Sequence, residues 1–367
     1  MNAIAVVPGT RGVRVVDRPE PAVTAPDEVK LKVVRVGICG TDREEAAGGR
    51  ALLPDGQKDL VIGHEMLGQV VDAGAAVQRV KKGDYAVFTV RRPCGKCLPC
   101  AMLRPDMCRS GTYRERGIWG LDGYQTEFVV DRECWVVRVP ERLAAVGVLA
   151  EPMSVVEKAI HEAERVQFAR VPDALATPDW LSDRRCLVAG LGPIGLLAAM
   201  ILRLRGARVF GLDVVDPGTA RPQWLEHIGG TYVDGRNIGP RGVEDALGAM
   251  DVIVEATGVP RLAFNLLEAL APDGVIALTG IPGGARPLEL PGGELVRAMV
   301  LNNTLMFGSV NAARGHFQMG VNDLDHGLEV WGRHLEQLIT HRAKVSEAEG
   351  LLEAHPAEEI KTVVEWG

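Results

Sequence analysis

The chain has little that would bind it to a nucleic acid or a membrane. It carries no Lys/Arg block and no basic arm, and 41 Lys and Arg against 48 Asp and Glu leave a formal charge of −7. Phosphate backbones are gripped by clustered cations, which argues against nucleic acid as a main partner. The longest apolar stretch, near Leu196–Leu202, falls far short of the roughly 20 residues that cross a bilayer. The opening residues, MNAIAVVPGTRG, lack a charged segment leading into an apolar one, so no secretory signal is expected and the cytoplasm is the expected address. Internal repeats and low-complexity tracts are also missing. What remains is an ordinary soluble balance, 47% hydrophobic and 24% charged. With 367 residues there is room for two domains of about 100–200 residues each.

Cysteine is scarce but concentrated. Four of the seven lie between positions 94 and 108, as Cys94-x2-Cys97-x2-Cys100-x7-Cys108. In a large chain without an export signal such a cluster reads as a metal site rather than a disulfide frame. Four thiolates at this spacing can close a tetrahedron round zinc and leave no position for water or substrate, which is a structural role. Pro93, Gly95 and Pro99 suit a tight irregular lobe, about 91–112, that lacks a core of its own. An iron–sulfur cluster stays open by ligand type, although the spacing differs from the common ferredoxin runs. Cys134 and Cys186 read as small buried hydrophobes, and His227, His316, His326, His334, His341 and His355 show no metal spacing.

The first part of the chain is strand-like. Val29–Val36 alternates apolar and polar residues, and Leu67–Val71 and Tyr85–Val90 are short apolar runs bounded by Gly and Asp. The Pro/Ala/Asp segment over 171–183 reads as a connector. The period then changes. Cys186–Ala189, Arg208–Asp213, Asp251–Ala256 and Gly274–Thr279 read as strands; Ile194–Leu204, Gln223–Ile228 and Leu262–Leu270 read as helices. Such alternation implies a parallel sheet covered on both faces. The expected fold is α/β: a doubly wound Rossmann domain over 181–306, inserted in a β-rich domain formed by 1–180 and a return segment over 307–367. The tail ends in an expected edge strand, Lys361–Glu365.

Gly190-Leu191-Gly192-Pro193-Ile194-Gly195 fits G-x-G-x-x-G. Alone the motif is weak, but here it follows an apolar strand and opens a helix, with Asp213 standing 18 residues beyond Gly195 at the next strand's end. Gly190 would make the tight turn, Gly192 admit the pyrophosphate and Gly195 allow close helix–strand packing, with the helix N-terminus facing the phosphates. Asp213 can accept from a ribose diol and repels a 2′-phosphate. Val214 and Val215 offer no counter-charge, so NAD is favoured; NADP stays open, with Arg221 the nearest cation that would reverse the preference. Thr257-Gly258 and Thr279-Gly280 close two strands and read equally as cofactor walls or as ordinary turns.

Cys39 in GICGTD, His64-Glu65 in GHE and Glu151 in AEPMSV are dispersed. A catalytic zinc has three mixed protein ligands and an open position. Singly, each of these residues reads as a core thiol, a loop histidine or a solvated carboxylate. Together with the cysteine lobe and GLGPIG, they occur in the order seen in zinc-containing medium-chain alcohol dehydrogenases, a family the chain resembles end to end. TVRRPCGKC, RPDMC followed by ERGI, LAEPMSVVEKA and GSVN resemble the glucose dehydrogenase branch first known from archaea.

The resemblance implies a GroES-like catalytic domain and a zinc held by Cys39 and His64, with Glu65 and Glu151 as carboxylate ligands bound directly, through water or in exchange. It implies that Thr41 bonds the reacting hydroxyl, that Glu115 and Asn311 meet sugar hydroxyls, and that Glu157 assists. The implied reaction moves hydride from a sugar or polyol hydroxyl to NAD(P), glucose-like C1 oxidation being favoured. It takes place in a cleft between domains, in a homodimer or homotetramer. Three departures stand out. Val90, Val155 and Leu301 replace polar residues of sugar-oxidising relatives, which puts glucose itself in question. Glu44 stands where many alcohol dehydrogenases place a relay histidine. A linear polyol or secondary-alcohol dehydrogenase is the nearest rival. A zinc-free enone reductase and a non-enzymatic nucleotide-binding protein are the others.

Overall fold

Alternation in the N-terminal strands sets which faces are covered. The computed structural model describes residues 1–177, 179–238, 242–284, 287–356 and 358–367 and divides into two compact units, Met1–Ser154 with Asn311–Gly367, and Val155–Val310.

In the first unit the strand Glu28–Ile38 buries every second residue up to Val33. An irregularity in its pairing with the strand Glu65–Ala73 then falls between Val33 and Arg35, after which Val36, Gly37 and Ile38 are all buried. A bulge re-aims the strand in this way, and it delivers the chain, sealed, to Cys39. The sheet runs Val136–Val139, Tyr85–Phe88, Glu65–Ala73, Glu28–Ile38, Lys361–Glu365, Ile339–Lys344, with Phe128–Arg132 also on Glu28–Ile38. Its core is Val29, Leu31, Val33, Met66, Phe88 and Tyr124 with their neighbours. Lys361–Glu365 is therefore not an edge strand. It lies between two others, pairing Val364 with Val36 on one side and Ala343 with Val364 on the other. The expected edge position is thus corrected, and Lys361 at its start is buried.

The second unit has the Rossmann order. Among the described residues six strands lie parallel: Thr231–Asp234, Arg208–Asp213, Arg185–Ala189, Met250–Glu255, Leu270–Leu278, Leu305–Gly308. Leu187, Ile253 and Ile276 are fully buried in its core, each side chain contributing roughly 1.5–3 kcal/mol over exposure. The helical stretch before the fifth strand stops at Ala269, in a last 3-10 turn, so Leu270 begins the strand rather than ending the helix.

The segment over 171–183 is not a bare connector. Pro172–Ala176 forms a short helix, and Trp180 and Leu181 are buried; Pro178 lies outside the described residues. The first junction falls earlier, inside the helix Ala150–Arg170. Within the second unit Gln167, near the end of that helix, donates to the Asp273 carbonyl at 2.8 Å. No helix among the described residues is long and apolar enough to cross a membrane.

Candidate metal centres and nucleotide site

Cys39 leaves the sheet with extended backbone, φ −121° and ψ −179°, and caps the helix Gly40–Ala46. Its Sγ accepts from the Thr41 N–H at 3.2 Å, while Asp42 returns a carboxylate oxygen to the Cys39 N–H at 2.8 Å. This reciprocal arrangement fixes the thiol. His64 follows the turn at Gly63, and its Nε2 lies 3.1 Å from Cys39 Sγ. The ligand atoms of Cys39, His64 and Glu65 all fall within 4.8 Å of one another. A tetrahedral ion with bonds of roughly 2.0–2.3 Å sets its ligands about 3.5 Å apart, so this donor set fits zinc.

A second layer orients these groups. Asp42, fully buried, places Oδ1 3.6 Å from His64 Nδ1 and accepts from the Gly63 N–H at 3.2 Å. At that separation the two are not hydrogen-bonded, and His64 Nδ1 is buried without a partner; a carboxylate facing the far nitrogen of an imidazole is the arrangement that orients metal-ligating histidines once the contact closes. Glu65 lies against Gly37, where a Cβ would stand 2.1 Å from its Oε2; only glycine leaves that room. Lys361 reaches the same carboxylate, Nζ to Oε1 at 2.6 Å, and also donates to the Ile38 carbonyl at 3.1 Å. Burial of this lysine is matched by an equally buried anion.

Glu151 is buried in the first turn of its helix and stands outside the tight set of three. Burial pushes its carboxyl up to about 7, opposed by His64 and reinforced by Glu65, so all three share one electrostatic environment. Burial pulls His64 down, but Cys39 and Asp42 more than offset this and hold its pKa well above the usual value. Thr41 is half-buried beside Cys39, and Glu44 is exposed. Glu157 is buried in the second unit, with Arg205 Nη2 3.9 Å from its Oε2.

Cys94, Cys97, Cys100 and Cys108 form the second cluster, their sulfurs within 4.8 Å of one another. The lobe holds only two short turns, Leu98–Ala101 and Pro105–Met107, and leaves Leu98, Met102 and Leu103 exposed. The Ser110 hydroxyl and the Lys96 N–H draw the Cys94 thiol down to about 5, whereas burial raises Cys100 to about 12.

In the second unit Gly190 has φ +90°, and a Cβ on Gly195 would stand 1.7 Å from the Gly190 carbonyl oxygen. Gly192 is the N-cap and Pro193 opens the helix Pro193–Leu204, with Ile194 next; Gly192 has open space around its Cα. Asp213 Oδ2 accepts the Leu191 N–H at 2.7 Å, and Arg221 Nη1 stands 4.0 Å from the same oxygen. Glu255 organises the two candidate walls. Its Oε1 accepts the Thr257 N–H at 2.7 Å, the Thr257 hydroxyl and the Gly258 N–H at 3.0 Å. Its carbonyl accepts from Thr279 N at 2.8 Å and Gly280 N at 3.1 Å, and a Cβ on Gly280 would sit 2.1 Å from Gly258 N.

Asp42, Lys361, Glu255 and Arg91, whose Nη2 donates to Glu115 Oε1 at 2.9 Å, join this list only through the structure. Asp42 has a local signal, an acidic residue three positions after a capping side chain. Glu255 has a weaker one, a carboxylate ending an apolar strand. Lys361 and Arg91 have none, because their partners are remote in sequence.

The comparisons agree with this architecture. Residues 25–141 match the alcohol dehydrogenase GroES-like domain, and residues 144–366 match the glucose dehydrogenase C-terminus. Glucose 1-dehydrogenase 2 of Vulcanisaeta moutnovskia is 39% identical over 100% of this chain and 99% of its own length. Glucose 1-dehydrogenase of Thermoproteus tenax is 38% identical with the same coverage, 100% and 99%. The structure of Haloferax mediterranei glucose dehydrogenase in complex with NADP, Zn and gluconolactone matches with a TM-score of 0.89 at 35% identity, covering 100% of this chain and 99% of that one. With both models matched in order and relatives aligned end to end, the chain belongs to the glucose dehydrogenase branch of the zinc-containing medium-chain alcohol dehydrogenases.

Proposed function

We propose that the chain oxidises a sugar hydroxyl, a glucose-like aldose at C1 being favoured, and passes hydride to a nicotinamide nucleotide. The carbinol loses one hydride from carbon and one proton from oxygen, which leaves a lactone and a reduced nucleotide. The observation that carries this reading is the convergence of Cys39, His64 and Glu65 on one point, in a chain 39% identical to a glucose 1-dehydrogenase.

Cys39 and His64, with Glu65 or Glu151, would hold a zinc whose chemistry is that of a Lewis acid on the substrate oxygen. Asp42 stands behind the imidazole that presents Nε2 to the site, and Lys361 holds Glu65 in an ion pair covered from water. Thr41, next to the thiol, is placed to accept the hydroxyl proton and pass it outward. Glu115 accepts from a further sugar hydroxyl. Gly190, Gly192, Gly195 and the helix behind them receive the pyrophosphate, with Thr257, Gly258, Thr279 and Gly280 as walls. The redox chemistry belongs to the nucleotide.

NAD is favoured over NADP because Asp213 lies at the ribose end of the motif; Arg221, 4.0 Å away, is the residue that would let a 2′-phosphate in. The cysteine lobe is assigned a second, structural zinc, and the chain is assigned to a homodimer or homotetramer. Initial rates over aldoses and polyols, with NAD and NADP separately, test the reading: lactone formation from an aldose supports it. Turnover confined to linear polyols or simple alcohols moves the substrate, and no turnover in a nucleotide-binding, zinc-loaded protein ends it.

A further inference from the structure

One carboxylate of the first unit is held in a way that a purely structural ion pair does not require. Glu115 lies in the strand Arg114–Arg116, paired directly with Arg91. Its Oε1 accepts from Arg91 Nε at 3.0 Å, from Arg91 Nη2 at 2.9 Å and from Asn311 Nδ2 at 3.0 Å. Three donors saturate that oxygen. Oε2 accepts no hydrogen bond from the described residues and is not among the atoms that packing seals away without a partner. With its sister oxygen held by three donors, it is left as an acceptor of fixed position.

Arg91 is itself fixed on every side. It is 6% exposed, its guanidinium carbon lies 3.8 Å from the Tyr113 ring centroid, and Nη1 donates to the Asp106 carbonyl at 3.2 Å. Asp106 belongs to the turn Pro105–Met107 inside the cysteine lobe, where Arg104 clamps its carboxylate at 3.0 and 2.8 Å. A planar fork can give two N–H groups to one oxygen, a third to a carbonyl and a face to a ring; a lysine ammonium cannot. Asn311, with φ +58°, accepts the Ala312 N–H at 2.8 Å on its own oxygen while its amide holds Glu115.

We infer that Arg91, together with Asn311, is a positioning residue for sugar binding: it locks Glu115 so that Oε2 takes a substrate hydroxyl. The inference rests on the function proposed above. An acceptor fixed before binding avoids the ordering cost that a free glutamate would add to each encounter.

The test is steady-state kinetics on the best aldose or polyol of the panel at saturating nucleotide, for wild type, Arg91→Lys, Asn311→Ala, Glu115→Ala and the Arg91→Lys/Glu115→Ala double variant. Arg91→Lys should raise the sugar KM about tenfold or more, change kcat less than about threefold and leave nucleotide affinity unchanged. In the Glu115→Ala background the same change should add less than about twofold, because the residue acts through Glu115. An unchanged sugar KM in Arg91→Lys, or a full additional effect in the double variant, overturns the inference. Should Arg91→Lys fail to fold, Asn311→Ala probes the same oxygen, and an unchanged KM there overturns it equally. A wild type that turns over no member of the panel refutes the proposed function and the inference with it, whereas an active wild type with an indifferent Arg91→Lys refutes the inference alone.

Discussion

The chain contains two clusters ready for a metal, and they differ in nearly every respect. The cysteine lobe draws four like donors from fifteen consecutive positions, sits near the surface and has almost no apolar interior. The Cys39 cluster draws unlike donors from a strand end, a loop and a strand start, is largely buried, and is backed by Asp42 and Lys361. The lobe is organised by its ligands. The other site is organised by the sheet, whose pairing of Gly37 with Glu65 brings the donors together. Four thiolates close a coordination sphere, while a mixed set with a carboxylate at its margin leaves a position for substrate.

The strongest way to break this contrast is to make one equivalent substitution in each cluster. His64→Ala, or Cys39→Ser, should lower kcat/KM by on the order of 10⁴, the scale of losing a Lewis acid. Nucleotide binding and melting temperature should stay close to wild type, since Ile38, Val36 and the surrounding sheet do not depend on the ligand. Near-normal turnover in a metal-verified variant would remove the catalytic assignment. Cys97→Ser should do the opposite, lowering the melting temperature by about 10 °C or more, or abolishing solubility, with smaller effects on chemistry. Unchanged melting and zinc content would count against the structural site.

The second layer sharpens the comparison. Asp42→Asn keeps the shape but removes the charge facing His64, and zinc affinity at the Cys39 cluster should fall about 10–100-fold, with the lobe's zinc unaffected. Competition with a chromophoric chelator reads this, and equal loss from both clusters would contradict it. The smallest effect concerns Glu45, on the same helix as Asp42. Its two carboxylate oxygens are buried without partners, and burial, with Asp42 adding to it, raises its pKa to about 9. The folded value lies above the ordinary one of 4.5, so the native state keeps a proton that the unfolded chain releases. The part of native stability that depends on Glu45 is therefore whole below pH 4.5 and declines as pH rises toward about 9. Glu45→Gln, which cannot ionise, should match wild type at pH 4.5 and melt roughly 2–4 °C higher at pH 8. A gain independent of pH would show that Glu45 is ionised in the native state.

What could be read from the sequence follows the same division. The lobe and the glycine loop are local: Cys94 to Cys108 and Gly190 to Gly195 carry their chemistry in their own spacing. The alternating strands from Cys186 onward likewise gave the doubly wound sheet, although Leu270 belongs to a strand and not to the preceding helix. Cys39, His64, Glu65 and Glu151 could be joined only by family resemblance, because sheet pairing and not spacing brings the first three together, and Glu151 comes from a helix. Lys361 is the extreme case. Nothing in KTVVEWG shows that its lysine stands 2.6 Å from Glu65, some 296 positions earlier in the chain, or that its strand is interior. Trp180 shows the reverse error: the Pro and Asp around it suggest an open connector, yet the indole is buried. Arg91 and Glu115 lie in a small sheet too short to announce itself.

Two chemically different sites are proposed to bind zinc, and only one of them to react. Zinc counted per chain by elemental analysis, alongside sugar-oxidation rate, tests it most directly in wild type and His64→Ala. Two equivalents should fall to one, with the protein still folded and activity lost. One equivalent in both proteins, or two in an inactive His64→Ala, would contradict it.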